Sequence, residues 1–382
     1  MKDSLLLIMT PNMSLEKWNS RGQLSRELKL YSDLCEKSGL KLIIFSYGRN
    51  DSSFVSNYPL FTVLNMPSWI PSKIPFRIQN VIYHLISLVR YRNYFKRSLL
   101  AKTNQFRAAE FGLLLNLFYS IPLVIRMGFY YSHFKKISPF MKLKEKIAFS
   151  KAELVITTSS EAASFIKKEY KINSKKLLFM CNSVDLTRFM PLGVPKEFDI
   201  IFVGKLEHQK NINLLLEIIK DSNSKTLIIG RGSLKKEVLN ATQNNPNLTW
   251  LERVDNKDLP MYYNKSKCFI LPSNYEGNPK VLLEAMACAL PCIITEVPGI
   301  RECIQENVTG IYINSDIAAS RLKIMNLLAD EIISKQMGRN ALAWVEEQGN
   351  SSKNIDREIE AYHKMLFGVQ SVNSQLLTVI GR

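Results

Sequence analysis

The run Cys268-Phe269-Ile270-Leu271-Pro272-Ser273-Asn274-Tyr275-Glu276-Gly277-Asn278-Pro279-Lys280-Val281-Leu282-Leu283-Glu284-Ala285-Met286-Ala287-Cys288 decides how the chain is read. Its first four residues are apolar and end on Pro272-Ser273, which predicts a buried strand. A glycine-bearing loop follows and closes on Pro279, a residue suited to a helix start. Residues 281–288 then read as a helix. A strand running through such a loop into a helix N-terminus makes an anion seat, because unpaired backbone N–H groups and the positive end of the helix dipole face one point. Glu276 lies in the loop and Glu284 in the helix, eight positions on. Carboxylates accept hydrogen bonds and do not hold phosphate themselves. Flanking an anion seat, they suit a ligand that carries both phosphate and hydroxyls, such as a sugar nucleotide. Two plainer readings stand beside that one: a solvated loop carboxylate at Glu276 and a helix-surface charge at Glu284.

Outward from this run, strands and helices alternate. On its N-terminal side come a strand over 199–203, a helix over 212–220, strands over 225–229 and 248–251, and a short helix over 259–263. On its C-terminal side come a strand over 292–295, a turn at Val297-Pro298-Gly299, a last strand over 311–313, and mostly helix over 318–366. Pro191-Leu192-Gly193-Val194-Pro195-Lys196 reads as a linker. A similar series precedes it: strands over 5–9, 42–45, 123–126, 154–157 and 176–180, with helices over 24–35, 109–119, 142–151 and 161–169. Residues 51–75 read as irregular, and 76–100 as one basic helical stretch. Alternation of this kind implies parallel strands and doubly wound sheets. Loops at the carboxyl ends of such strands line a ligand crevice; they carry Asn19, Arg21, Gly22, Gln105, Arg126, Gly128, Thr158 and Asn182, with His133 a candidate in the loop after 123–126.

The totals fit this organisation. A chain of 382 residues is long for one core, so two domains are expected. The six cysteines form no C-x-x-C pair and several sit in apolar runs, as buried thiols of a reducing compartment would. The apolar run at the start is too short for a signal peptide, and 111–125 is interrupted by Asn116, Ser120 and Pro122. A cytoplasmic protein is expected. The net charge of +17 sits almost wholly in residues 1–200, with 30 Lys and Arg against 14 Asp and Glu. Such asymmetry points one half at an anionic partner. In 76–100 an apolar face (Ile78, Val81, Ile82, Leu85, Val89) is joined by Arg77, Arg90, Arg92, Lys96 and Arg97, mixed with Tyr91, Tyr94 and Phe95, as in helices that lie on an anionic bilayer. A half-buried helix with a solvated charged face fits the same pattern.

Lys205 and Lys210 flank the loop after 199–203, where two ammonium groups would neutralise a diphosphate and stabilise it as a leaving group. As surface lysines of a lysine-rich chain they need no such role. Gly230-Arg231-Gly232 falls short of a full dinucleotide fingerprint. No D-x-D, H-E-x-x-H, G-x-S-x-G or Walker loop occurs, so neither a metal site nor a cofactor is expected. Glu276 and Glu284 also remain open as a glycosidase pair, whose separation sequence does not give.

Several spaced segments resemble the retaining glycosyltransferases of family 4, which have the GT-B architecture. Asn182-Ser183-Val184-Asp185 with Phe189 and Pro191 is similar to that family's N-G-V-D-x-x-x-F-x-P. Phe202-Val203-Gly204-Lys205-Leu206 with Lys210 is similar to V-G-R-L-x-x-x-K-G, and Gly230-Arg231-Gly232 to its G-x-G turn. Pro272-Ser273 through Glu276-Gly277, and Glu284-Ala285-Met286-Ala287, resemble P-S-x-x-E-G and E-A-M-A, followed by Gly299 and Glu302. The likeness covers about a third of the chain, 182–313. It implies two Rossmann-like domains facing across a cleft: 1–192 on the acceptor side, 198–355 binding a nucleotide sugar, and 356–382 as a helix returning to the first domain. It also implies roles. Lys205 and Lys210 hold the donor diphosphate, Glu284 the ribose, and Glu276 the transferred sugar, with Gly204, Gly230, Gly277, Asn278 and Val281 completing the donor site. Glu276, Lys205 and Lys210 are then the catalytic set of a metal-independent, retaining reaction. Lysine replaces the commoner arginine at 205, and Asn211 and Ala289 replace glycines. The N-terminal loops depart further, so Arg21, Gly22, Arg126, Gly128 and His133 are acceptor-side candidates by position alone.

The expectation is therefore a glycosyltransferase moving sugar from a UDP- or GDP-sugar to a lipid-linked or surface polysaccharide, peripheral on an anionic membrane through about residues 61–150. A non-hydrolysing sugar-nucleotide 2-epimerase and a basic nucleic-acid-binding protein are the alternatives. No nucleic-acid recognition motif is present, so no nucleic-acid partner is expected.

Overall fold

A computed structural model describes residues 2–128, 137–220 and 222–368. The chain divides into two units, Met1–Met180 with Ile355–Arg382, and Cys181–Asn354.

The first unit is built on a seven-stranded parallel sheet. Its elements are β1 (Ser4–Ile8), α1 (Leu15–Ser20), α2 (Leu24–Ser38), β2 (Lys41–Phe45), β3 (Phe61–Leu64), α3 (Phe76–Arg90), α4 (Arg92–Arg97), β4 (Ser98–Thr103), α5 (Ala109–Tyr119), β5 (Leu123–Met127), α6 (Pro139–Lys151), β6 (Leu154–Thr157), α7 (Ser160–Tyr170) and β7 (Leu177–Phe179). The strand order is β3-β2-β1-β4-β5-β6-β7, reversing direction of growth between β1 and β4. β1, β5 and β6 are buried along their whole length, as strands covered on both faces must be. Local caps start the helices: Ser14 accepts from Lys17 N, Ser138 from Met141 N and Ser159 from Ala162 N.

Two expectations for this unit are corrected. The helical pattern of 76–100 stops at Arg97, and Ser98–Thr103 is a central strand between β1 and β5. Residues 51–75 contain the edge strand β3, paired to β2.

The second unit carries a six-stranded parallel sheet ordered β10-β9-β8-β11-β12-β13. Its elements are β8 (Phe198–Val203), α8 (Ile212–Ile219), β9 (Thr226–Ile229), α9 (Lys235–Asn244), β10 (Leu248–Leu251), α10 (Leu259–Asn264), β11 (Ser266–Leu271), α11 (Lys280–Ala287), β12 (Cys292–Thr295), β13 (Gly310–Ile313), α12 (Ile317–Ala329) and α13 (Glu331–Gln348). β8 pairs with both β9 and β11, so the switch point of this sheet lies beside the quoted run. Residues 191–196 are tied to this unit: Leu192 N donates to Asn264 Oδ1 and Lys196 Nζ to Asn264 O.

The last helix, α14 (Ser351–Phe367), starts in the second unit. From Ile355 onward it belongs to the first, where Ile355, Ile359 and Tyr362 join the core. There Lys102 of β4 pairs with Glu358, which also accepts from Tyr362 Oη. Lys102 Nζ lies 5.2 Å from the centroid of the Tyr31 ring.

Candidate active site

The site grows out of two loops at the carboxyl ends of β8 and β11. After β8 the chain runs Gly204-Lys205-Leu206 into a short turn, His208–Lys210, and then into α8 through Asn211. Asn211 has φ of 50°. Among non-glycine residues asparagine tolerates this left-handed geometry best. After β11 the chain runs from Pro272 to Pro279, which stands at the N-cap of α11.

The two loops are fastened to each other. Asn274 N donates to Gln209 O at 2.9 Å, Asn274 Nδ2 to His208 O at 2.7 Å, and Gln209 Nε2 to Tyr275 O at 3.1 Å. These bonds bring Lys210 to Glu276. Lys210 Nζ lies 2.5 Å from Glu276 Oε1, and Ser273 Oγ donates to the same oxygen at 2.7 Å. The Lys210 and Glu276 side chains retain only 12% and 6% exposure.

Glu284 stands on the second turn of α11 and is also buried, with neutral side chains among its partners. Asn256 Nδ2 lies 3.1 Å from Glu284 Oε1, and Tyr263 Oη 3.4 Å from Glu284 Oε2. Burial, and then the neighbouring Glu284 charge, push the Tyr263 phenol well above its ordinary pKa, so it stays a donor. Arg188 Nη1 donates to Asn256 Oδ1 at 3.2 Å and fixes the amide that serves Glu284.

Glycines supply close backbone approach at three points. A Cβ on Gly230 would lie 1.8 Å from Gly204 O, and one on Gly232 would lie 2.3 Å from Leu206 O. Both positions let the turn after β9 press against the β8 loop, where Leu206 N donates to Arg231 O. Gly299, with φ of 80°, brings its turn against Gly277, whose carbonyl a Cβ would meet at 2.1 Å.

The candidate residues therefore do not all act alike. Lys210, Glu276, Gly204, Gly277 and the α11 start come together. Lys205 is exposed and, among the described residues, makes no ion pair; its neighbour Glu207 is held by Ser233, whose hydroxyl and backbone N–H bonds lower the Glu207 pKa. Val281 is half-buried on α11. Asn278 faces away from any ligand role for its side chain: its Oδ1 accepts from Asn182 N and its Nδ2 lies 3.3 Å from Cys303 Sγ. In the first unit, Arg126 and Gly128 meet Gln105, Thr103 and Thr158. Gly128 N donates to Gln105 Oε1 and Thr158 Oγ1 to Gly128 O, while Thr103 Oγ1 accepts from Arg126 N. Arg21 and Gly22 lie on a different loop, at the end of α1. His133 lies outside the described residues. Asn256, Tyr263 and Gln209 emerge only from the structure, since no local pattern marks them; Ser273 belongs to the quoted run, but its bond to Glu276 is seen only in the structure. Among the described residues no group of three or more His, Cys, Asp or Glu is placed to hold a metal ion.

Residues 187–344 match the family described as glycosyl transferases group 1. The chain is 28% identical over 46% of its length to an uncharacterized glycosyltransferase of Methanocaldococcus jannaschii, spanning 48% of that protein. It is 25% identical over 61% of its length to the UDP-Gal:alpha-D-GlcNAc-diphosphoundecaprenol alpha-1,3-galactosyltransferase of Escherichia coli, spanning 65% of it. It is 26% identical over 89% of its length to the capsular polysaccharide biosynthesis glycosyltransferase CapM of Staphylococcus aureus, spanning 83% of it. Among solved structures, the sucrose-phosphate synthase from Thermosynechococcus elongatus superposes with a TM-score of 0.78 over 96% of this chain and 100% of that one, at 17% identity. That last likeness concerns the fold alone.

Proposed function

Residues 187–344 belong to the glycosyl transferases group 1 family, on a chain of GT-B fold, and from that premise we propose that the protein transfers a sugar from a nucleotide-sugar donor to a lipid-linked or surface polysaccharide acceptor. The observation that carries the proposal is the joined loop pair, which sets Lys210 against Glu276 in the loop that leads into α11, with Glu284 buried on the second turn of that helix. Lys210, with the solvated Lys205, meets the charge of the donor diphosphate and of the departing nucleotide. Glu284, held by Asn256 and Tyr263, accepts from ribose hydroxyls, and Glu276 from the transferred sugar. The reaction proceeds with retention and without a metal, through positioning and leaving-group stabilisation. The names of the Escherichia coli and Staphylococcus aureus relatives support a UDP-sugar and a polyprenol-linked or capsular acceptor.

Titration with UDP and GDP, followed by turnover of the matching nucleotide sugars, tests this reading. Lys210→Ala and Glu284→Ala are expected to lose donor binding; unchanged binding and turnover in both would sink the assignment. Turnover of the nucleotide sugar with no acceptor present would instead favour a 2-epimerase.

The membrane partner is proposed on the outer face of α3. This helix buries Asn80, Tyr83, His84 and Ser87 and packs Ile82 and Leu88 on the core, yet it also exposes Phe76, Ile78, Val81, Leu85 and Val89, a second apolar stripe facing outward. α6 likewise exposes Phe140, Met141, Leu143 and Ile147. Between Asp51 and Glu145 the one acidic residue is Glu110, against 13 Lys and Arg. Aliphatic faces in so basic a stretch fit an anionic bilayer. Among the described residues no helix is long and apolar enough to cross a membrane. Flotation with phosphatidylglycerol vesicles is expected, and its loss on Val81→Asp with Leu85→Asp; failure of the unaltered chain to float at low salt refutes this partner.

A further inference from the structure

Lys210 is already neutralised inside the protein. Glu276 Oε1 takes its ammonium at 2.5 Å and the Ser273 hydroxyl at 2.7 Å, in a position the surrounding loops keep nearly dry. A diphosphate that recruits Lys210 must therefore draw it from Glu276. Glu276 would then be a buried carboxylate left with the Ser273 hydroxyl, and an uncompensated buried charge is strongly unfavourable. A ligand that brings hydroxyl donors to Glu276 repairs the loss; one that brings only phosphates does not.

We propose that Glu276 is a built-in competitor for Lys210, which discriminates an intact nucleotide sugar from the sugar-free nucleoside diphosphate. The inference rests on the donor-site reading above and adds a step to it. While the donor is bound, sugar hydroxyls satisfy Glu276 and leave Lys210 to the diphosphate. Once the sugar has left, Glu276 loses those donors, takes Lys210 back, and the nucleoside diphosphate is released. Asn256 and Tyr263 stay on Glu284 through this exchange. The framework survives the exchange as well: the bonds of Asn274 and Gln209 join the two loops through groups other than Lys210 and Glu276.

Calorimetric titration of the full chain with UDP and with GDP tests the proposal. Glu276→Gln keeps the side-chain shape and removes the competing charge, so it should bind the preferred nucleoside diphosphate at least about fivefold more tightly, judged from one charge removed beside the phosphate seat. It should not bind the corresponding nucleotide sugar more tightly. The gain should vanish when Lys210→Ala is added, since the two residues act on one another. Glu276→Asp, whose shorter arm draws back from Lys210, gives a second reading if the glutamine variant does not fold. Unchanged or weaker nucleoside diphosphate binding in these variants overturns the competitor role. If Lys210→Ala alone leaves binding intact, or neither nucleotide binds any of the proteins, the donor reading falls with it.

Discussion

The two units each contain a nearly buried lysine–glutamate pair, and the pairs differ in what surrounds them. Lys102–Glu358 lies within the core of the first unit, with Tyr362 on the carboxylate and the Tyr31 ring beside the ammonium. Burial would raise the Glu358 carboxyl, but Lys102 and Tyr362 more than offset it and hold the group below the ordinary carboxylate range. Lys210–Glu276 lies on two loops, and its lysine keeps the greater exposure. A sealed pair fixes the seat of a helix, because it lies in the core where no ligand reaches either member. A pair at a loop surface can be traded for a ligand. The same chemical contact is thus architecture in one unit and a replaceable arrangement in the other.

The sharpest way to break that contrast is to strip one member from each pair. Lys102→Met leaves Glu358 uncompensated in the core and is expected to cost about 3–5 kcal/mol. Hydrogen exchange along α14 reads this directly, and adding Glu358→Leu should recover most of the loss. A loss below about 1 kcal/mol would show that the core pair is not architectural.

Next in size is a third titratable group in the first unit. His84 Nε2 lies 2.7 Å from Tyr47 Oη and its ring stacks on Phe111. Burial pushes its pKa down to about 4. The folded state therefore keeps it neutral while the unfolded chain protonates near pH 6.5. Between those values the unfolded state binds more protons, so stability falls as pH falls from 6.5 towards 4, by roughly 3 kcal/mol in all. Urea midpoints across that range, compared with His84→Gln, measure it; equal slopes would remove His84 from the account.

Lys210→Ala should destabilise less than the core change, by about 1–2 kcal/mol, because Lys210 is the more exposed of the two lysines and water can take the place of its ammonium beside Glu276. A loss as large as that of Lys102→Met would erase the distinction between the pairs. The smallest effect calibrates the second unit. Ala289 has φ of 55° in the turn after α11, and its carbonyl is approached closely by Gly338. Ala289→Gly relieves that left-handed geometry and should raise the thermal stability of the second unit by roughly 1 kcal/mol; a lowered melting temperature would contradict it.

Much of the second unit is legible in sequence because its strands are continuous apolar runs bounded by turns, as in residues 268–271 and 292–295. The first unit is less so. β4 buries Ser98, Lys102 and Thr103, polar residues that mask a central strand and extend the helical pattern before it. β3 is a short edge strand with only its ends buried, set among prolines. At the site, the spacing of Glu276, Glu284 and the lysines is visible along the chain. Which lysine meets Glu276 is not, because it depends on Asn274 and Gln209 bonding across two loops. Asn256 and Tyr263 reach Glu284 from an earlier stretch of chain, a relation that only tertiary packing creates.

The crossing of α14 from one unit to the other orders events during synthesis. The second unit holds all its residues once Asn354 has left the ribosome, whereas the first still lacks Ile355, Ile359 and Tyr362 for its core. Until those arrive, Lys102 waits without Glu358. The half of the chain made first is therefore finished last, and a nascent chain halted near residue 354 would carry every residue of the second unit and a first unit with an incomplete core.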